Sequence, residues 1–399
     1  MSGELATTKK TFSGSLTSGA TSQDGDNTVH FAISSMRGRR RTQEDTFIIE
    51  TELKVFNSKQ NNPLPGHSLF AVFDGHGTSF ASEYASKHFV SIFCKQKSFA
   101  EYHDRFLDES KQRNNLHKSK DMNKFSIKSG LVPTSNKELI MLLEDAMKKT
   151  ILDLDAGLLQ ELNTKKTHNH DNSDSDTDFD DSDAGTTVII VALTPDYILC
   201  ANLGDSRAIL QQGRQNGTNN KTTDVICLST DHKPINTEEE ERIRKAGGVV
   251  LGGKIEARLA VSRGMGDFAF KHTPSVLHAA IRSQDDDFPM IDDYVQPEDQ
   301  MVSSVPEITS IPRDDDRYRF LILGSDGIWD VFSSEKCADL ISMIFGEGEQ
   351  SVALVCEELL DQCYAKGSLD NMTAILIKFA SQKVGRGGGV MRRRKQRKK

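Results

Sequence analysis

The chain has 399 residues, 36% hydrophobic and 27% charged, with a formal net charge of −8. That is enough apolar material for one large domain or two ordinary ones, and no apolar run approaches the roughly 20 residues needed to cross a bilayer. The balance becomes −15 without the seven positive charges of the C-terminal "RRRKQRKK"; so acidic a body is poorly suited to binding nucleic acid over a broad surface.

Residues 1–28 lack the apolar centre of a secretory signal, and Ser2 in place of Gly breaks the N-myristoylation pattern. They read as a flexible lead-in. Short runs rich in β-branched residues follow: "SLFAVFD" (68–74), "TTVIIVALT" (186–194), "YILCANLG" (197–204), "AILQQG" (208–213), "RFLILGSD" (319–326) and "TAILIKF" (373–379). Several are too apolar for a half-exposed strand, so helices are expected to cover the sheets. Residues 79–95 bring Tyr84, Ala85, Phe89, Ile92 and Phe93 onto one helical side. Residues 136–162 align Leu139, Leu143, Met147, Ile151, Leu154 and Leu158, with Ser135 and Glu138 as a capping box. Thr237 and Glu240 repeat that box before "EEEERIRKAGG", and "EKCADLISMIF" and "SVALVCEELLDQCYAKG" read as two further helices.

Three stretches interrupt the pattern. Residues 103–134 are polar and basic. Residues 163–183 are low in complexity, with seven aspartates between positions 171 and 183. Residues 269–300 are long and acidic. Strand-like runs resume after each, so all three read as surface insertions in one domain spanning 29–381. Residues 382–399, glycine-rich then basic, read as a disordered tail that either serves as a nuclear-import signal or contacts an acidic partner. The six cysteines (Cys94, Cys200, Cys227, Cys337, Cys356, Cys363) form no C-x-x-C pair. Several lie in apolar runs, as expected of reduced, buried thiols in an intracellular, cytoplasmic or nuclear protein.

A repeated construction points to chemistry. Acids stand at the ends of apolar runs beside small residues: Glu44 and Asp45, Asp74, Asp205, Asp326, Asp330 and Asp370. A lone strand-end aspartate is usually a turn or a cap. If several share one sheet end, their carboxylates repel unless cations neutralise them. An all-oxygen set suits Mg²⁺ or Mn²⁺ rather than zinc. Gly75, without a side chain, lets its carbonyl approach a metal. One of Arg39, Arg40 and Arg41 could grip a phosphate. His76, two residues from Asp74, can pass a proton to a leaving oxygen.

The motifs that carry these residues resemble, in order, those of the metal-dependent serine/threonine protein phosphatases of type 2C: "SSMRGRRRTQEDTF" (34–47), "FAVFDGHG" (70–77), "AGTTVIIVAL" (184–193), "ANLGDSRAIL" (201–210), "LSTDHKP" (228–234), "RIRKAGGVV" (242–250), "LAVSRGMGDF" (259–268), "VPEIT" (305–309), "LGSDGIWDVF" (323–332) and "GSLDNMTAILI" (367–377). The resemblance implies an α+β fold, an αββα sandwich of two antiparallel sheets flanked by helices, with a binuclear Mg²⁺ or Mn²⁺ site at one end. It implies that Asp74 bridges both ions, Gly75 contributes its carbonyl, Asp326 and Asp370 ligate one ion, and Glu44 reaches the other through water. Asp205 and Asp330 match positions tied to a weaker third ion, Arg40 the phosphate-binding arginine, and His76 the general acid. The implied reaction is hydrolysis of phosphoserine and phosphothreonine in proteins by a hydroxide between the two metals. Two departures stand out: Arg39 where the family often has an aromatic, and the long acidic segment between Asp267 and Val305 beside the expected site. The alternatives are a pseudophosphatase that binds phosphoproteins, disfavoured by the acids retained at 74, 326 and 370, and a metal-dependent nuclease, disfavoured by the acidic body. A monomer is expected.

Overall fold

The computed structural model describes residues 8–17, 28–54, 64–118, 134–169, 184–213, 224–271 and 295–397. The acid-rich stretch 171–183 and most of the long acidic segment, 272–294, lie outside the described residues. In chain order the strands are β1 (Lys9–Thr17), β2 (Thr28–Met36), β3 (Thr46–Glu50), β4 (Ser68–Phe73), β5 (Gly75–His76), β6 (Gly185–Thr186), β7 (Val188–Leu193) and β8 (Tyr197–Leu203). They continue with β9 (Arg207–Gln212), β10 (Val225–Cys227), β11 (Val250–Leu251), β12 (Lys254–Ile255), β13 (Met265–Gly266), β14 (Glu307–Pro312), β15 (Tyr318–Gly324) and β16 (Met372–Lys378). The α-helices are α1 (Phe80–Phe93), α2 (Lys97–Lys118), α3 (Thr134–Asn169), α4 (Thr237–Lys245), α5 (Asp326–Trp329), α6 (Ser334–Gly346), α7 (Val352–Ala365) and α8 (Gly389–Arg397).

Two large sheets, ordered β1-β2-β16-β15-β9-β10 and β14-β8-β7-β4-β3, carry the architecture. All their ladders are antiparallel. The fully apolar runs have a simple cause: alternate residues feed different cores. Leu69, Ala71 and Phe73 of β4 join Val188, Ile190 and Ala192 of β7 beneath α1, α2 and α3. Phe70 and Val72 join Ile189, Val191, Leu321, Leu323, Ile375 and Ile377 between the sheets. Phe320, Ile322, Ala374 and Leu376 pack under α6 and α7. The result is the expected αββα sandwich with three apolar layers. The leucine-rich stripe from Leu139 to Leu158 is buried along α3.

Several local expectations are corrected. Residues 103–118, read as part of an insertion, continue α2; His103 is buried and Phe106 packs on the adjoining core. Residues 163–169 likewise extend α3. The side chain of Ser135 lies outside the described residues, so its capping box carries no structural statement. The second box is absent: Asn236 is the N-cap of α4 and makes no side-chain cap bond. In contrast, Ser333 and Ser351 accept bonds from Lys336 N and Leu354 N at the starts of α6 and α7.

The described parts of both terminal segments depart from the flexible reading. Residues 9–17 form β1 in full register with β2, and Lys9 Nζ meets Asp361 at 2.6 Å. Residues 389–397 form α8. Val390 is buried with α6 and α7, while Arg393, Arg394 and Arg397 engage Glu347, Asp361 and Glu358 at 2.9, 3.1 and 2.6 Å. Composition alone suggests a solvated tail, because the acids that receive these arginines lie on other helices. Among the described helices none is long and apolar enough to cross a membrane.

A buried ion pair ties the helical layer to the loop after β13. Lys271 Nζ lies 2.8 and 2.9 Å from the two oxygens of Asp155 on α3 and donates to Gly264 O at 2.9 Å, while Gly266 N donates to Asp155 Oδ1 at 2.8 Å. Removing one partner leaves a buried charge uncompensated. Lys271→Met is therefore expected to lower unfolding stability by about 3–5 kcal/mol. Urea denaturation measures this; a loss under about 1 kcal/mol would show that the pair is not an anchor.

Candidate active site

Seven strand ends meet at one end of the sandwich. β4 stops at Phe73, which pairs with Thr46, the first residue of β3. β7 begins at Val188, opposite Leu203 at the end of β8. β15 ends at Gly324 opposite Ala374, and β16 begins at Met372 opposite Met36, the end of β2. The residues just beyond these ends are Asp74, Glu44 and Asp45, Asp205, Asp326, Asp370 and the three arginines. The two sheets are bridged there by Asp326 N, which donates to Asp74 Oδ2 at 3.3 Å.

Backbone bonds fix Asp74: Thr187 N donates to its carbonyl at 2.9 Å, and its own N–H donates to Thr187 Oγ1 at 3.3 Å. Gly75 is required sterically, since a Cβ would lie 2.6 Å from Glu44 O and 2.8 Å from Ser82 Oγ. Gly77, at φ +77°, turns the chain out of the site. Asn371 holds the arginine loop in place. Its Nδ2 donates to Arg37 O at 2.7 Å and Thr42 O at 2.9 Å, and its Oδ1 accepts from Glu44 N at 2.8 Å. In the sequence only its place beside Asp370 marks Asn371.

The electrostatics record the convergence. Burial, followed by repulsion from Asp45, Asp326, Asp205 and Asp370, pushes the Asp74 carboxyl well above the usual range. Burial, Asp205, Asp370 and Asp330 do the same for Asp326, with Lys233 opposing. Burial is also the largest cause of the rise at Asp330, where Asp205 and Asp370 add to it. Asp45, buried and accepting from Ser325 Oγ at 2.9 Å, is raised to about 6, chiefly by burial. Asp45 is thus a further member of the cluster rather than only a neighbour of Glu44, since its charge helps to raise Asp74.

Two side-chain cations stand among these acids. Arg40 Nη2 lies 2.5 Å from Asp370 Oδ2, and Lys233 is ion-paired with Asp205. Among the described residues no three His, Cys, Asp or Glu side chains close tightly enough to hold a metal ion. The donor chemistry nevertheless fits a divalent cation: an all-oxygen, mutually repelling set in which the buried Oδ1 atoms of Asp45 and Asp326 have no hydrogen-bond partner. Glu44 Oε1 accepts from Thr42 Oγ1 at 2.5 Å. Arg39 is not directed at the acids. It stacks 4.5 Å over the Tyr364 ring and donates to Ser368 O at 3.0 Å.

His76 is reached from a separate small sheet, β13-β6-β5. Its Nε2 lies 2.8 Å from Asp267 Oδ1. Burial works against an imidazolium there, but the charge and hydrogen bond of Asp267, with Asp205 and Glu44 adding, raise its pKa. Nothing in the spacing connects Asp267 with His76, which lie 191 residues apart in the chain.

The family model described as Protein phosphatase 2C matches residues 29–135 and 134–372. Protein phosphatase ppm-1.A of Caenorhabditis elegans is 28% identical over 353 residues, which cover 88% of this chain and 60% of that protein. Protein phosphatase 1B of Rattus norvegicus is 30% identical over 356 residues, covering 89% of this chain and 71% of that one. Protein phosphatase 2C homolog 2 of Schizosaccharomyces pombe is 30% identical over 366 residues, covering 90% and 75%. The chain thus spans 60% of the nematode protein, less than two thirds, and 57% of the Bos taurus Protein phosphatase 1B that it also matches. Among solved structures, the serine-threonine phosphatase 2C from Toxoplasma gondii superposes with a TM-score of 0.61 at 21% identity, over 93% of this chain and 99% of that one. At that identity the likeness establishes the fold.

A carboxyl whose folded-state pKa is raised holds more protons folded than unfolded, so stability falls as pH rises through that window. For Asp45 the window runs from 3.8 to about 6. Chelator-treated protein is expected to lose melting temperature across it. Asp74→Asn, which removes the most repelled charge, should raise the melting temperature at pH 7 by a few degrees. Identical melting profiles for the two proteins between pH 4 and 8 would contradict the repulsion.

Proposed function

Since this chain belongs to the protein phosphatase 2C family, we propose that it is a metal-dependent protein phosphatase that hydrolyses phosphoserine and phosphothreonine. The observation that carries this reading is the cluster of Asp74, Asp326 and Asp370 at the sandwich end, with Arg40 at its rim and His76 beside it. Asp74, Gly75 through its carbonyl, Asp326, Asp370 and Glu44 would hold two Mg²⁺ or Mn²⁺ ions, and Asp205 and Asp330 a weaker third. Such ions, when bound, supply positive charge to the phosphoryl oxygens and acidify water into a nucleophile.

The remaining roles belong to the chain's own side chains. Arg40 is half-exposed and gives Asp370 only Nη2, so its other N–H donors can receive a phosphate. Those donors stabilise charge on the equatorial oxygens of an in-line transition state. Asn371 keeps the Arg37–Glu44 loop at the distance that lets Arg40 do so. His76 gives its proton to the departing seryl or threonyl oxygen. The retained acids argue against a purely binding pseudophosphatase. The substrates are phosphorylated proteins, and the unpaired cysteines suit a reducing cytoplasmic or nuclear setting. An import receptor or acidic partner of the tail would compete with Glu347, Glu358 and Asp361, which hold α8.

With a phosphopeptide substrate, Asp74→Asn is expected to lower kcat/KM by about 10³-fold or more while the circular dichroism spectrum is unchanged. Chelation should abolish turnover and Mg²⁺ or Mn²⁺ restore it. Full activity after exhaustive chelation, or in the Asp74→Asn protein, would sink this reading.

A further inference from the structure

His76 and Asp267 are 191 residues apart in sequence and two strands apart in the small sheet. His76 lies on β5, opposite Gly185 of β6; Gly185 in turn lies opposite Gly266 of β13, and Asp267 follows directly. Side chains on strands separated by a third do not ordinarily touch, because neighbouring strands are about 4.8 Å apart. Here they meet across the bare Cα of Gly185. A Cβ at that position would collide with His76 Nε2 and with the Asp267 carboxylate. The middle strand is therefore a gap cut to let the two side chains reach one another.

The backbone at Asp267 is also unusual. Its φ of 53° and ψ of 37° place it in the left-handed region, one of three such non-glycine residues among those described. That conformation disfavours most side chains; a short polar one such as Asp tolerates it, and Gly would adopt it with less strain. The residue is held there by Asp267 N donating to Ala184 O at 3.1 Å and by the Lys271–Asp155 anchor that grips Gly266. Its side chain is 3% exposed, Oδ1 faces His76 Nε2, and Oδ2 has no hydrogen-bond partner. A strained, buried carboxylate with its described hydrogen bond directed at one imidazole is poor economy for stability alone. The imidazole keeps its other edge free for chemistry: His76 is 32% exposed and, with Asp267, lines a cavity of about 160 Å³.

We propose that Asp267 is a positioning residue for His76: by accepting from Nε2–H it fixes the ring so that Nδ1–H faces the leaving oxygen. The inference rests on the reading of His76 as the proton donor. In the step it serves, the P–O bond to the seryl or threonyl oxygen breaks and its electron pair takes the Nδ1 proton. The product alcohol leaves, and a neutral His76 remains bonded to Asp267 through Nε2–H. Gly185 supplies the clearance and β13 the rigid mount.

The test compares a phosphoserine peptide with an activated aryl phosphate, whose leaving oxygen needs little protonation, using the full chain with Mn²⁺. Asp267→Gly suits the backbone and removes the carboxylate. It is expected to lose about 10²–10³-fold in kcat on the peptide and under about 10-fold on the aryl ester, the pattern also expected of His76→Ala. Asp267→Asn, whose Oδ1 can accept the same bond, should regain about 10-fold on the peptide relative to Asp267→Gly. The double substitution His76→Ala with Asp267→Gly should be no worse than His76→Ala alone. Should Asp267→Gly fail to fold by thermal melting, Asp267→Asn decides: a loss confined to the peptide supports the assignment, and wild-type kinetics or equal losses overturn it. If His76→Ala discriminates between the substrates but the Asp267 variants do not, the positioning role fails alone. If His76→Ala loses equally on both, the donor reading of His76 fails and takes this inference with it.

Discussion

The constraint on which the rest of the site depends is the repulsion among carboxylates that the fold buries together. Asp45, Asp205, Asp326 and Asp370 each help to raise the pKa of Asp74. Left to itself such a cluster would spread apart or take up protons. It is held because each acid is attached to the end of a strand whose interior is locked into two apolar layers at once. Moving Asp74 outward would mean withdrawing Phe70, Val72 and Phe73 from their cores. The sandwich thus supplies the packing energy that opposes the repulsion, and positive charge relieves what remains. Arg40 and Lys233 provide some of it from within the chain.

The same end of the molecule contains a second device built on different physics. The acid cluster sits on long ladders, whereas His76 sits on a sheet with two-residue strands. So small a sheet has little stability of its own. It is braced by Thr187 against Asp74 on one side and by the buried Asp155–Lys271 pair on the other. The geometry around His76 is therefore coupled to the helical layer through α3, while the acids are coupled to the sheet interior.

The chain ends illustrate how charge patterns mislead when read locally. "RRRKQR" is a solvated run by composition, yet as α8 it lies against acids of α6 and α7 and buries Val390. Glu358, whose side chain is fully buried, receives Arg397 through both carboxylate oxygens. An arginine fork suits that arrangement better than a lysine would. Likewise, the alternating polar pattern of residues 9–17 describes an edge strand as well as a loop, and only the partner β2 distinguishes them.

The amino-acid sequence by itself determined the strand-dense class, the double covering of the sheets, the main helices and the set of strand-end acids, because each rests on local periodicity or on a residue type at a chain reversal. It also marked Asp74, Asp205, Asp326 and Asp370 as candidates, since their construction repeats. Only the tertiary structure decided which groups meet: Asp45 with Asp74, Lys233 with Asp205, Asn371 with the arginine loop, and Asp267 with His76 across Gly185. None of these follows from spacing, because partners up to about 330 residues apart are joined by strand order and register rather than by any period in the chain. Gly75 shows the division most directly: its lack of a side chain is plain in the sequence, but that Glu44 O and Ser82 are what require it depends on where two other segments happen to pass.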